Sequence, residues 1–181
     1  VDLHADPLLW GRDLLKRSNY GQVDLPRLQE GNMALQVFGV VTQSPKGQNF
    51  DNNSADTDRL KPLVIAQRWP VAAWNSYFER AIFQAKRLDG LVADSGGQLQ
   101  WVRNQQELSA LLAKRQAGDK VVGGLLGLEG THALEGDSEN VQKLFDAGFR
   151  MMGMAHFIDN KMAGSAHGVE RGGLSEEGRA A

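Results

Sequence analysis

The sequence predicts an α/β fold in which parallel strands are joined by helical crossovers. Three observations carry that reading. Short apolar runs alternate with stretches of helical periodicity along the whole chain. Two of the runs, residues 33–42 and 121–128, are apolar almost throughout, as strands covered on both faces are. Several runs also end on an ionisable residue, at Asp6, Glu129 and His156. Periodicity alone leaves an open doubly wound sheet and part of a β/α barrel equally available.

Residues 1–6 (VDLHAD) form a first short strand, ended by Pro7. Asp24 can cap a helix with Pro26 in its first turn, and that helix stops near Gly31. Residues 33–42 (MALQVFGVVT) make the second strand. Residues 44–58 carry Pro45, Gly47, Asn49, Asp51, Asn52, Asn53, Asp56 and Asp58, which predicts an exposed loop leading into helical sequence. Between residues 69 and 88, Trp74, Tyr77, Phe78, Ala81, Ile82, Ala85 and Leu88 recur at spacings of three and four, the core-facing stripe of an amphipathic helix. Gly96 and Gly97 separate residues 91–93 from 99–102, a pattern that predicts a small hairpin. Residues 105–117 form a helix ended by Gly118. Residues 121–128 (VVGGLLGL) are the third strand. Asp137 or Ser138 then caps a helix that buries Val141, Leu144 and Phe145 and stops at Gly148, and residues 149–155 form the fourth strand, closed by His156. No internal repeat or linker divides residues 1–181, which read as one domain.

The 20 basic residues are scattered among 22 acidic ones for a formal net charge of −2, which excludes a nucleic-acid footprint. Without cysteine there is neither a disulfide nor a thiolate metal site, so any metal is held by imidazole and carboxylate. No run approaches the roughly 20 apolar residues of a membrane helix. The chain opens at Val1 directly in strand-like sequence, so a leader or N-terminal extension is expected to have been removed.

His4 and Asp6 sit two apart on a strand, where side chains alternate, so both project from one face and can deliver an imidazole and a carboxylate to one divalent ion. Alone, such a pair is a common coincidence. Together with Glu129 before Gly130 and with His156, it becomes a constellation of ionisable groups at strand ends, where parallel α/β folds gather their catalytic groups. His132 reads as a loop histidine able to orient a ligand from behind, and Asp159 and His167 are open between surface and site.

Val1-Asp2-Leu3-His4-Ala5-Asp6 resembles the opening metal-binding strand of the renal (membrane) dipeptidase family, peptidase family M19. Gly127-Leu128-Glu129-Gly130-Thr131-His132 resembles its bridging-glutamate segment. Leu144-Phe145-Asp146-Ala147-Gly148-Phe149-Arg150, continuing to Met154-Ala155-His156 and Asn160, is similar to its helix, turn and substrate-histidine strand, and Gly172-Gly173-Leu174-Ser175 with Gly178 to its next step into a helix. Asn160, Gly164-Ser165 and His167-Gly168 resemble bacterial exported members, some of them encoded beside siderophore maturation enzymes.

The resemblance implies a (β/α)8 TIM-barrel metallo-hydrolase, with roughly the first half in this chain, and a dipeptidase reaction at two zinc ions. It implies that His4 and Asp6 bind one zinc, that Glu129 bridges the pair as the catalytic carboxylate, and that His156 binds a dipeptide or small peptide. The histidines of the second zinc, an acid-base aspartate and a substrate-carboxylate arginine are expected beyond Ala181, so these residues alone are expected to be inactive. Four β/α units also leave open strand edges, which implies a longer protein or a homodimer. An exported, periplasmic or membrane-associated location follows from the same likeness. The alternative it leaves open is an exported homologue, altered or absent in hydrolytic activity, that processes or binds a peptide siderophore precursor.

Overall fold

A computed structural model describes residues 1–181. Five strands form one sheet: β1 (Asp2–Ala5), β2 (Leu35–Val41), β3 (Leu99–Trp101), β4 (Val122–Glu129) and β5 (Phe149–Gly153), in the order β1-β2-β4-β3 with β5 also pairing β4. β1 runs parallel to β2, with Asp2 opposite Gln36 and Ala5 opposite Phe38, and β3 runs parallel to β4, with Leu99 opposite Val122. The helices are α1 (Leu25–Glu30), α2 (Leu60–Ala66), α3 (Tyr77–Asp94), α4 (Gln105–Gln116), α5 (Glu139–Asp146) and α6 (Glu176–Ala180). None is long and apolar enough to cross a membrane.

The chain divides into two compact units. The first comprises residues 1–40, 84–127 and 148–150. Val102, Leu111 and Val121 form an apolar cluster there, with Leu35 packed against it. Gly123 and Gly124 on β4 let neighbours close in: a Cβ on Gly124 would lie 3.2 Å from the Phe38 ring. Asp24 caps α1 by accepting a hydrogen bond from Arg27 N, as the Asp-Leu-Pro sequence dictates, and Asn104 caps α4 in the same way through Glu107 N.

The second unit comprises residues 41–83, 128–147 and 151–181. Its apolar interior includes Val64, Trp69, Leu134, Leu144, Ile158 and Met162, and the rings of Trp69 and Phe83 lie 4.5 Å apart. Arg80 is buried among them. Its guanidinium donates to the carbonyls of Thr42, Ala73 and Trp74 and, at 2.6 Å, to the Asp58 carboxylate.

Four expectations need correction. Residues 91–93 are not a hairpin strand: they continue α3, because a three-residue apolar run fits either element and a helix already propagating from Tyr77 costs nothing further to nucleate. Residues 99–101 instead supply β3, a parallel partner of β4. Trp74 lies in a separate 3₁₀ turn, Val71–Trp74, ahead of α3. Phe145, expected in the core, is 49% exposed because α5 turns Asn140 and Leu144 inward. Finally, β5 ends at Gly153, so His156 stands in the loop beyond the strand.

Candidate functional site

In the first unit, His4 belongs to β1, whereas Asp6 lies just past it as the residue that opens the 3₁₀ turn Pro7–Leu9. Strand alternation is therefore broken at Asp6, and the ladder to β2 shifts register between Asp2 and Ala5. The two groups still meet, with His4 Nε2 3.1 Å from Asp6 Oδ1. Gly39 on β2 makes room for them: a Cβ there would collide with Asp6 Oδ1 and come 2.8 Å from His4 Cε1. One imidazole nitrogen and one carboxylate oxygen over a side-chain-free floor fit a divalent cation of the zinc type, which takes N and O donors.

In the second unit, Glu129 is the last residue of β4 and Gly130 turns the chain at φ 81° into a 3₁₀ turn, Thr131–Leu134. A side chain at Gly130 would strain the backbone and come within 2.7 Å of the His132 ring. His156 Nε2 donates to Glu129 Oε1 at 3.0 Å, both side chains being about four-fifths enclosed. The loop that carries His156 is tied down by its neighbours. Thr131 Oγ1 and Asn160 Nδ2 both donate to the Met154 carbonyl, at 2.6 and 2.8 Å, and Ser165 Oγ donates to the His156 carbonyl.

His132 is buried rather than looped out: only 4% of it is exposed. Neither ring nitrogen makes a hydrogen bond of ordinary geometry, the backbones of Gly130 and Ile158 offering only weak polar contact. Burial above all, and then the charge of nearby His156, pushes its pKa from 6.5 down to about 4, so it is neutral near pH 7. It lines a cleft of about 350 Å³ with Gln43, Tyr77, Glu135 and Lys161.

Asp159, ambiguous in the sequence, proves to organise a loop. Its carboxylate accepts from the backbone N–H groups of Ser165 at 2.7 Å and Glu170 at 2.8 Å. Burial alone pushes its pKa up, but these backbone donors outweigh it and hold the carboxyl below the usual aspartate value. His167 belongs to that same loop. The sequence contained no signal for this role of Asp159 beyond the glycines around it, Gly164 and Gly168, which fit where a side chain would strike Gly172 and Asp159.

Solved structures share this fold. A metallopeptidase from Rhodobacter sphaeroides, liganded with a phosphinate mimic of the dipeptide L-Ala-D-Ala, is 20% identical at a TM-score of 0.66 over 99% of this chain and 53% of its own. Dipeptidase AC, a metallopeptidase of family M19, is 24% identical at a TM-score of 0.63 over 99% of this chain and 51% of its own. The chain thus spans about half the length of either, and its parallel α/β sheet is part of the β/α-barrel fold that the family resemblance implies. The membrane dipeptidase (peptidase family M19) profile matches residues 1–181, from the strand of His4 through Glu129 and His156 to the last helix, and the chain belongs to that family.

Proposed function

We propose that this chain carries part of the active site of a zinc-dependent dipeptidase, in which His4 and Asp6 would hold zinc and Glu129 would serve as the catalytic carboxylate. The observation that carries the reading is the His4–Asp6 pair, 3.1 Å apart over Gly39, in a chain whose whole length fits the family. Zinc bound there supplies a polarised scissile carbonyl and an attacking water of lowered pKa. The protein groups do the rest. Glu129 accepts a hydrogen bond from His156 Nε2–H at 3.0 Å, which fixes the imidazole's tautomer and direction; were Glu129 drawn onto zinc, that N–H would be released to donate to the substrate's carbonyl oxygen. Because that hydrogen bond is made within an enclosed region, it is stronger than it would be in water.

The substrate class is a small dipeptide, an assignment supported by the dipeptide mimic held by the Rhodobacter sphaeroides enzyme. We place the protein outside the cytoplasm, among bacterial exported members, on the Asn160, Gly164-Ser165 and His167-Gly168 likeness.

Zinc content and dipeptide hydrolysis, measured together on the protein that carries this chain, test the proposal. Asp6→Asn is expected to lower zinc affinity and turnover together, and Glu129→Gln to lower turnover by roughly a hundredfold or more. A zinc-loaded protein that cleaves no dipeptide, or an Asp6→Asn variant that retains full zinc affinity, would overturn it.

A further inference from the structure

The enclosed Glu129–His156 pair does not end at His156. The Phe157 ring meets the His156 ring edge to face at 4.7 Å, and His167 stacks on Phe157 at 5.1 Å with their planes 22° apart. Phe50 closes the row, 5.6 Å from both Phe157 and His167. A continuous run of rings therefore leads from the Glu129 carboxylate to the surface, where Phe50 is 77% exposed.

An exposed phenylalanine on a polar loop is ordinarily free to move; this one is held. His167 Nδ1 donates to the Phe50 carbonyl at 2.8 Å, which also fixes the tautomer of that ring. Asn53 returns the contact, its N and Nδ2 donating to the His167 carbonyl at 2.8 and 2.9 Å. Arg171 donates to the Asp51 carbonyl, and Asn53 forms a parallel bridge with Gly168. The Asp159 carboxylate anchors the far loop through Ser165 and Glu170. Two polar loops are thus stitched together by hydrogen bonds to main-chain carbonyls, most of them from side chains, so that an apolar ring faces water from a fixed backbone. Holding a large apolar ring rigid and exposed lowers the entropy cost of packing another apolar group against it.

We propose that Phe50, Phe157 and His167 form an aromatic wall that selects dipeptides bearing a large apolar or aromatic side chain. The wall rests on the dipeptidase reading above, since it takes the Glu129–His156 end as the place where the peptide group sits. The side chain of the bound dipeptide lies along the ring row, with Phe50 at its outer end. Phe50, being exposed, contributes area there without contributing to the fold's core.

Two readouts test this on the zinc-loaded protein. The first is the ratio of kcat/KM for phenylalanyl- or leucyl-containing dipeptides to kcat/KM for alanylalanine; the second is the Kd ratio of the corresponding phosphinate mimics, by calorimetry. Phe50→Ala is expected to reduce both preferences about three- to tenfold, and Phe50→Leu to restore most of the loss. If Phe50→Ala leaves both ratios unchanged while dipeptides are cleaved, the wall is refuted and the dipeptidase reading stands. If no dipeptide is cleaved, that reading fails, and the mimic Kd ratio still decides the wall: no preference for the larger side chain refutes it. Circular dichroism of each variant separates a lost contact from a lost fold.

Discussion

The two compact units are held together by different physics. In the first, β3, β4 and α4 enclose Val102, Leu111 and Val121, apolar side chains with no polar partner to satisfy. Such a core is non-directional, and its stability follows buried area and volume. In the second, the largest fully buried side chain is a cation. Arg80, 1% exposed, is satisfied by three carbonyls and the Asp58 carboxylate, while Asn53, Asp159 and Asn160 each bind backbone groups of loops. Directional bonds of this kind specify a loop's shape, which apolar packing cannot do, and they leave a costly orphan when one partner is removed. The catalytic carboxylate and the substrate histidine we assign lie in the unit built this way, where exact loop geometry matters more than bulk stability.

The largest expected effect therefore belongs to Arg80. Arg80→Met keeps much of the side-chain volume but removes every donor, so Asp58 Oδ2 and the Thr42, Ala73 and Trp74 carbonyls lose their bonds to the guanidinium, and Asp58 keeps only the Leu60 N–H at its other oxygen. A loss of about 3–5 kcal/mol is expected, read from the midpoint and slope of urea unfolding. A loss below about 1 kcal/mol would mean that the network is not what holds these loops.

Acid is the next probe, because it acts on the second unit's buried imidazole. The unfolded chain takes up a proton on His132 at the ordinary value of 6.5, whereas in the folded protein burial and His156 delay that uptake to about 4. Stability is thus fully present above pH 6.5 and declines as pH falls towards 4, after which both states are protonated and this loss stops. Roughly 1.4 kcal/mol per pH unit within that window amounts to about 3 kcal/mol. His132→Leu is expected to flatten the decline between those values in denaturant titrations, and an unchanged slope would assign the acid sensitivity to other groups.

The same contrast explains what could be read from the sequence. The regular elements were legible where one residue type fixes a local geometry: Asp24 and Pro26 at the start of α1, the apolar runs of β2 and β4, and Glu129 at the strand's end. Misreadings fell where local signals tie. The apolar residues 91–93 suit helix or strand equally, and only continuity with the turns of α3 decides. His4 and Asp6 do come together, though not through strand alternation: the strand ends between them, and the turn after Ala5 with the open floor at Gly39 brings them to 3.1 Å. The aromatic row was invisible because it depends on hydrogen bonds between residues 114 positions apart, such as Asn53 and His167, and no periodicity encodes a pairing of two loops. His132 was misplaced for a related reason. A histidine after a glycine turn looks solvated until the 3₁₀ turn folds it inward.

The smallest expected effect lies in the first unit and completes the contrast. Leu111 is fully buried in the apolar cluster, in contact range of Gly123. Leu111→Met conserves volume and apolar character, and methionine's extra rotatable bond lets it fill a slightly altered gap. The change is expected to cost less than about 1.5 kcal/mol in the same urea titration, although its site is buried as deeply as that of Arg80. Substitution to methionine at two equally buried positions thus isolates the variable of interest, since burial and the incoming residue are held constant and only the loss of directional partners differs. Equal losses at both positions would place the stability of the second unit in its apolar packing, and would leave the arginine network only the task of shaping the loops.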